Sequence, residues 1–298
     1  MNRRTSSGRE WQRRGSLVVV DANFLCHQAG RAMPSLKVDD VASGVTFGVL
    51  SRVLTFAARA KTNRFAFCWD GRHSYRRAAF DWYKDRGGGD EVTDEERELR
   101  QAIYSQMNCL RDEIIPAIGF RNSFSQHGIE ADDTIAHIIF NSHPIEKSVL
   151  IISSDHDLYQ LLRPGVRMLD AARHKAVDGA WLEREWGVTW DKWGEVKALA
   201  GCKSDTVPGI PGVKEKTAIQ YLKGELPTKY KRYQAIVSAD GQAVYHRNLG
   251  LVKLPHEMSK PVTLGSDELT EDGFNDVCNE YQLHSLLKNG EGRRFLFG

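Results

Sequence analysis

The chain has 298 residues, 41% of them apolar, enough for one large core or two modest ones. Its formal net charge is only +2, which excludes a uniformly basic nucleic-acid binder and shifts attention to how the charge is distributed. The acids of the middle third sit beside apolar runs, whereas Lys and Arg gather in separate stretches, as in a protein that holds phosphate with one region and metal ions with another.

Three short apolar runs read in chain order as buried parallel strands: Leu17 to Val20, Arg64 to Trp69 and Ser148 to Ile152. Val45 to Ala60, between the first two, has helical spacing, and two more helical stretches separate the second from the third. Strand–helix–strand alternation implies an α/β sheet with right-handed crossovers. From Gly71 to about Gly89 the chain is basic and aromatic, and Gly87 to Gly89 form a flexible break. Thr93-Asp-Glu-Glu96 then predicts a capping box and a helix running towards Asp112. Beyond residue 182 no strand pattern stands out, and Trp186 to Ala200, Lys216 to Leu222 and Tyr230 to Ser238 read as helices after a turn at Asp178-Gly179.

Five cysteines (Cys26, Cys68, Cys109, Cys202, Cys278) are odd in number, widely spaced and free of CxxC pairs, which argues against a disulfide framework or zinc knuckle and for a reducing compartment. The apolar run at Leu17 is interrupted by Asp21, and no window approaches membrane-span length. A soluble, cytoplasmic monomer is the expectation.

Each predicted strand runs into an acid: Val20 into Asp21, Trp69 into Asp70, and Ile152 into Ser153-Ser154-Asp155. Open parallel sheets bind ligands beyond the carboxyl ends of their strands, so these acids converge. Glu130-Ala-Asp132-Asp133 opens the helical run Ile135 to Phe140, where carboxylates also serve as caps. Capping does not explain Asp155 and Asp157 at the next strand end. Seven carboxylates (Asp21, Asp70, Glu130, Asp132, Asp133, Asp155, Asp157) in one cleft require a neutralising cation. Hard divalent ions with oxygen ligands suit them, so Mg²⁺ is expected, with Mn²⁺ able to substitute; zinc or iron ligand sets are absent from the group. Two such ions would clamp the attacking and leaving oxygens of a phosphodiester displacement. His127 and His156, which flank the group, read as surface or supporting residues.

Together these segments resemble the structure-specific 5′-nuclease superfamily: flap endonucleases, phage 5′→3′ exonucleases and the 5′-nuclease domain of bacterial DNA polymerase I. The resemblance runs through Val18-Val-Val-Asp21, Phe67-Cys-Trp-Asp-Gly71, Gly128-Ile-Glu-Ala-Asp-Asp133, Ser154-Asp-His-Asp-Leu158 and Gly201 to Ala218. It implies a PIN-like, mostly parallel sheet flanked by helices over residues 1–182, with a helical arch inserted at about 71–110. It also implies a helical DNA-binding region over 183–298 with a helix–three-turn–helix motif at about 197–223. Glu130, Asp132 and Asp155, with Asp21 and Asp70, would hold a first ion; Asp157 and Asp205 would hold a second, with Asp133 supporting both. Lys84 and Arg86 match the arch's Tyr-Lys-x-x-Arg element and would offset charge on the scissile phosphate. Tyr75, Trp82 and Tyr83 would stack on unpaired bases, with at least one of them serving arch packing instead. Arg72, Arg76, Arg77, Tyr83, Lys203, Gly209, Gly212, Lys214, Lys216 and Thr217 would contact DNA, the hairpin glycines by exposing backbone N–H groups.

Four departures from the pattern stand out. Cys202 replaces one of the expected second-site carboxylates, which predicts weaker occupancy there. Tyr83-Lys-Asp-Arg86 is one residue short, Gln28 replaces an Arg, and Lys214 replaces a hairpin Gly. The implied activity is hydrolysis of DNA with a free 5′ end or flap, leaving 5′-phosphate and 3′-hydroxyl, in replication or repair and in a bacterial or phage setting; RNA in RNA/DNA hybrids is a second substrate class. A PIN-type ribonuclease and a DNA-binding protein with a decayed site are the rival readings.

Overall fold

The computed structural model describes residues 16–38, 41–85, 93–142, 148–170 and 175–298. In chain order the strands are β1 (Leu17–Asp21), β2 (Lys37–Val38), β3 (Val41–Ala42), β4 (Phe65–Trp69), β5 (Ser123–Ser125), β6 (Val149–Ser153), β7 (Val166–Asp170), β8 (Lys175–Asp178), β9 (Gly201–Cys202) and β10 (Val207–Pro208). The helices are α1 (Ala22–Ala32), α2 (Gly44–Ala60), α3 (Tyr75–Ala79), α4 (Asp94–Cys109), α5 (Ile115–Ile118), α6 (Ala131–Ser142), α7 (Gly179–Trp186), α8 (Trp193–Ala200), α9 (Glu215–Leu222), α10 (Lys231–Val237), α11 (Ala239–Val252), α12 (Glu271–Glu280) and α13 (Gly290–Phe297).

Six strands form one sheet in the order β5-β4-β1-β6-β7-β8. All neighbours are parallel except β7 and β8. Every residue of β1, β4 and β6 is buried, which is why these three read as unbroken apolar runs. Their side chains alternate between two cores with the period of two that a pleated strand imposes. Val18, Val20, Phe65, Phe67, Leu150 and Ile152 join one core with residues of α1, α2, α4, α12 and α13. Leu17, Val19, Ala66, Cys68, Val149 and Ile151 join the other with residues of α6, α8 and α9. The helices after β8 thus continue the second core, and the last two return to the first.

The strands of this sheet that the sequence did not display lie towards or at its edges, and β2 with β3 and β9 with β10 form two separate two-stranded ladders. β5 is three residues with two serines, β7 carries a half-buried Arg167, and β8 begins on exposed Lys175 and Ala176. Half-solvated strands need no continuous apolar run. The expected helix from Trp186 is interrupted at Gly187, which has φ +72 and ends α7, so that α8 starts only at Trp193. The Asp178-Gly179 turn is the start of α7, with the Asp178 carboxylate accepting from Trp181 N at 2.7 Å.

Thr93 caps α4 by accepting from Glu96 N at 3.2 Å. Glu96 turns its carboxylate outwards to Arg31 and Arg100, at 2.7 Å each, completing an ion-pair group in place of the reciprocal half of a capping box. The far half of α4 is anchored: Ile103 packs on Gly30, where any β-carbon would lie 2.5 Å from it. The five cysteines are free thiols. Among the described residues no helix is long and apolar enough to cross a membrane.

Candidate active site

β1 sits at the switch point of the sheet: the chain leaves it for β4 on one side and returns to β6 on the other. The register sets Val20 level with both Phe67 and Ile152, so the three strands end together. Asp21 closes β1 and caps α1, accepting from Phe24 N at 3.0 Å and from the Ser153 hydroxyl at 2.7 Å. Asp70 follows β4, accepts from Ala131 N at 2.8 Å, and receives support from Asn23, whose Oδ1 takes the Asp70 N–H at 3.0 Å. Gly71 is required next because a β-carbon there would sit 1.7 Å from the Gln126 carbonyl. Asp155 follows β6 and accepts from Asp157 N at 2.7 Å.

Asp21, Asp70, Asp132 and Asp155 crowd one another. Burial, then repulsion from Asp70, pushes Asp21 up to about 6. Burial, then Asp157, Asp205 and Asp21, pushes Asp155 up to about 7. Asp132 rises well above the carboxylate range through burial, Asp155 and Asp21, and burial raises Asp70 too. Lys84 favours the ionised forms of Asp21, Asp70 and Asp132 but does not overcome burial. Oxygen donors held in this way, with too little countercharge of their own, fit a hard divalent ion.

A second group lies next to the first. One donor atom from each of Asp157, Cys202 and Asp205 falls within 4.8 Å of the others. Lys197, from the buried face of α8, places Nζ 3.0 Å from Asp157 Oδ1. The Cys202 thiol donates to Asp157 Oδ2 at 3.4 Å, and burial with Asp157 and Asp205 nearby pushes it up to about 12. Asp157 thus faces an ammonium at Oδ1, without a hydrogen bond of good geometry there, and accepts from the thiol at Oδ2.

Lys84 binds Glu130 at 3.0 Å and lies 3.8 Å from Asp205. Its backbone is pinned in the left-handed region (φ 52), with N–H donating to the Asp205 carbonyl at 2.9 Å. Tyr83 is buried and donates its hydroxyl to Glu130 at 3.0 Å. The neighbouring Thr206 hydroxyl bonds the Trp82 carbonyl, and Arg247 of α11 lies 5.2 Å over the Trp82 ring. The base of the insertion is thereby docked on the C-terminal helices.

Three sequence expectations are corrected here. Asp133 is fully buried in an ion pair: it takes a bidentate pair from Arg76 at 2.6 and 2.8 Å and the His256 N–H at 2.7 Å, and Arg76 in turn lies 3.6 Å from Glu130. Arg76, expected on DNA, is likewise buried, and its Nε donates to the Leu251 carbonyl at 2.7 Å. The helix explains this: residues 132 and 133 are about 100° apart around α6, so one faces the cleft and the other the packing. Tyr83, also expected on DNA, is enclosed with Glu130, and so is the member of the aromatic trio that packs. Arg86 lies outside the described residues.

Residues 16–187 match the sequence profile described as 5′-3′ exonuclease, N-terminal resolvase-like domain. The chain belongs to this 5′-3′ exonuclease family. It is 29% identical over 288 residues to DNA polymerase I of Deinococcus radiodurans, covering 91% of this chain but only 29% of that protein. To the flap endonuclease Xni of Aliivibrio fischeri it is 29% identical over 231 residues, covering 72% of this chain and 83% of the other. Among solved structures, a bacteriophage T5 flap endonuclease complexed with DNA and metal ions superposes with TM-score 0.68 at 19% identity, covering 94% of this chain and 99% of that one. Human GEN1 bound to Holliday junction DNA gives 0.60 at 14% identity, over 95% and 72% of the two chains. Both structures share its fold.

In this exonuclease-family chain α8 and α9 are joined by β9, β10 and the Pro/Gly turn. Gly209 passes so close to α8 that a β-carbon would lie 2.1 Å from the Ala200 carbonyl. Gly212, with φ +75, and Lys203, Lys214 and Lys216 are exposed, while Thr217 is buried. Arg72 and Arg77 are exposed beside α3. Sequence reading passed over Lys197, Asn23 and Ser153. For Lys197 a signal existed: it stands alone as a charge inside the apolar run Val196 to Ala200, directly before the Gly201 turn. Asn23 and Ser153 carried none, since one polar residue beside a strand end is unremarkable.

Proposed function

We propose that the chain is a divalent-metal-dependent 5′-nuclease that hydrolyses DNA carrying a free 5′ end or flap, leaving 5′-phosphate and 3′-hydroxyl. One observation carries the reading: the register of β1, β4 and β6 and the start of α6 bring four carboxylates close enough to disfavour one another's ionised forms, a repulsion that a divalent cation would relieve. Asp21, Asp70, Asp132 and Asp155 would hold the ion, Mg²⁺ or Mn²⁺. When bound, it would supply Lewis-acid stabilisation of the phosphate and a water of lowered pKa.

The chain's own groups do the rest. Ser153, Asn23 and the first-turn N–H groups of α1 and α6 orient the carboxylates. Lys84, held by Glu130 and half-exposed on the cleft side, supplies a fixed positive charge for a scissile phosphate. Exposed Arg72 and Arg77 would guide the single strand, and Lys203, Lys214 and Lys216 with the Gly212 turn would grip the duplex backbone. Asp157 and Asp205 form the second group that the family resemblance assigns to another ion.

The deciding assay compares 5′-flap, blunt-duplex and RNA-flap substrates in Mg²⁺, with Asp155→Asn as control. Release of 5′-phosphorylated DNA fragments, lost in the variant, is expected. Preference for unstructured RNA, or equal negligible turnover in both proteins, would refute the reading.

A further inference from the structure

The second carboxylate group differs from the first in one respect that decides its chemistry: it already contains cations. Lys197 Nζ is 3.0 Å from Asp157 Oδ1, and each side chain is only 9% exposed. The other Asp157 oxygen accepts from the fully buried Cys202 thiol, which also contacts Ser204 Oγ at 3.0 Å. Asp205 is shared with Lys84 at 3.8 Å. Glu130, Asp157 and Asp205 share two ammonium groups, Lys84 and Lys197, which leaves little charge for an incoming ion, and a neutral thiol is a poor partner for magnesium. In the first group Lys84 acts on Asp21, Asp70 and Asp132 only at longer range. The residues present thus fit one divalent ion and do not fit a second beside Asp157.

We propose that this chain holds a single tightly bound divalent ion and that the Lys197 ammonium, fixed on Asp157, supplies the charge of the second. This rests on the metal-dependent reading given above. Cys202 is part of the device. A third carboxylate at that position would restore negative charge beside Asp157 and reopen the group to a metal, whereas the thiol closes the hydrogen bonding without adding charge. Lys197 acts here as a positioning residue for charge, and its neighbours on α8 (Val196, Ala198 and Leu199) are buried with it.

The test is Mn²⁺ binding to the full chain without DNA, read by the loss of the free-ion EPR signal, alongside the melting temperature at each metal concentration. Wild type is expected to take up one ion per chain in the tight range, with a single rise in melting temperature. Cys202→Asp and Lys197→Met are each expected to take up a second ion at least about tenfold more tightly than wild type, and their melting temperatures should rise in two steps. Cys202→Asp retains the ammonium and carries the test alone if Lys197→Met does not fold. Two ions of comparable affinity on wild type, or a second ion on neither variant, overturn the inference and leave the nuclease reading standing. A wild type that binds no ion overturns both.

Discussion

Asp132 and Asp133 are adjacent, equally acidic and opposite in fate, so exchanging each for Asn gives a sharp test of the architecture. Asp133 is fully buried, bonded twice to Arg76 and once to the His256 N–H. Removing its charge leaves a guanidinium that is itself only 3% exposed without its counterion. Breaking a buried pair in this way costs about 3–5 kcal/mol. Unfolding entropy of about 2.1 cal/mol/K per residue gives about 0.6 kcal/mol/K for a chain of 298 residues. Asp133→Asn should therefore lower the melting temperature by about 5–8 °C, with no change in the number of Mn²⁺ ions bound to the folded protein. Asp132 is crowded by Asp155 and Asp21 with its ionised form disfavoured. Asp132→Asn should leave the metal-free melting temperature unchanged or higher at pH 8 and abolish tight Mn²⁺ binding. Calorimetry in chelator, followed by metal titration, reads both. The opposite pattern, with Asp133→Asn stable and metal-free and Asp132→Asn unstable and metal-loaded, would refute the assignment.

Lys84→Met should reduce kcat on a 5′-flap by about 10²–10³ while changing KM little; an unchanged kcat would remove Lys84 from the site. Lys214→Ala and Lys216→Ala should each flatten the dependence of log Kd on log salt concentration by about 0.9 if each contacts one phosphate, and an unaltered slope for both would place the duplex elsewhere. Without metal the chain should lose stability as pH rises. Asp21 and Asp155 sit at about 6 and about 7 in the folded protein against 3.8 when unperturbed, so their contribution is fully present below pH 4 and lost as pH climbs through 6 to 7. For Asp21 the shift amounts to about 3 kcal/mol, and the melting-temperature difference between wild type and Asp21→Asn in chelator should widen over that range. Saturating Mg²⁺ should close it; a difference that is constant from pH 4 to 8 would contradict the crowding.

The part of the fold that the sequence displayed is the part where burial is symmetric. β1, β4 and β6 are covered on both faces and so are written as apolar runs, with their acids at the ends. β5 and β8 lie at the edges, β7 carries a half-buried Arg167, and all three are written in mixed residues that loops also use. α11 was equally hidden. Its buried face includes Asn248, whose side-chain amide bridges the Ala198 and Pro208 carbonyls at 2.9 Å each, and Gly241, where a β-carbon would lie 1.9 Å from the Ala235 carbonyl. A helix that packs through a polar bridge and a glycine shows little apolar periodicity. What made it a helix was tertiary.

The same distinction runs through the site. Position and residue type identified seven acids, because strand ends and a helix start are local features, and the family resemblance added Asp205. Which cation each acid meets is not local. Asp133 meets Arg76 from 57 residues away, Glu130 meets Lys84 from 46, and Asp157 meets Lys197 from 40 on a helix of the following region. Each such pairing takes one carboxylate out of the pool that needs an external ion. Subtracting Asp133, Asp157 and Glu130 leaves Asp21, Asp70, Asp132, Asp155 and Asp205, and the fold disfavours the ionised forms of all five. A count of acids in sequence therefore overstates how much metal a cleft needs. The number that matters is the acids left over after the protein's own cations are assigned, and here most of that remainder sits at the ends of three central strands and the start of α6.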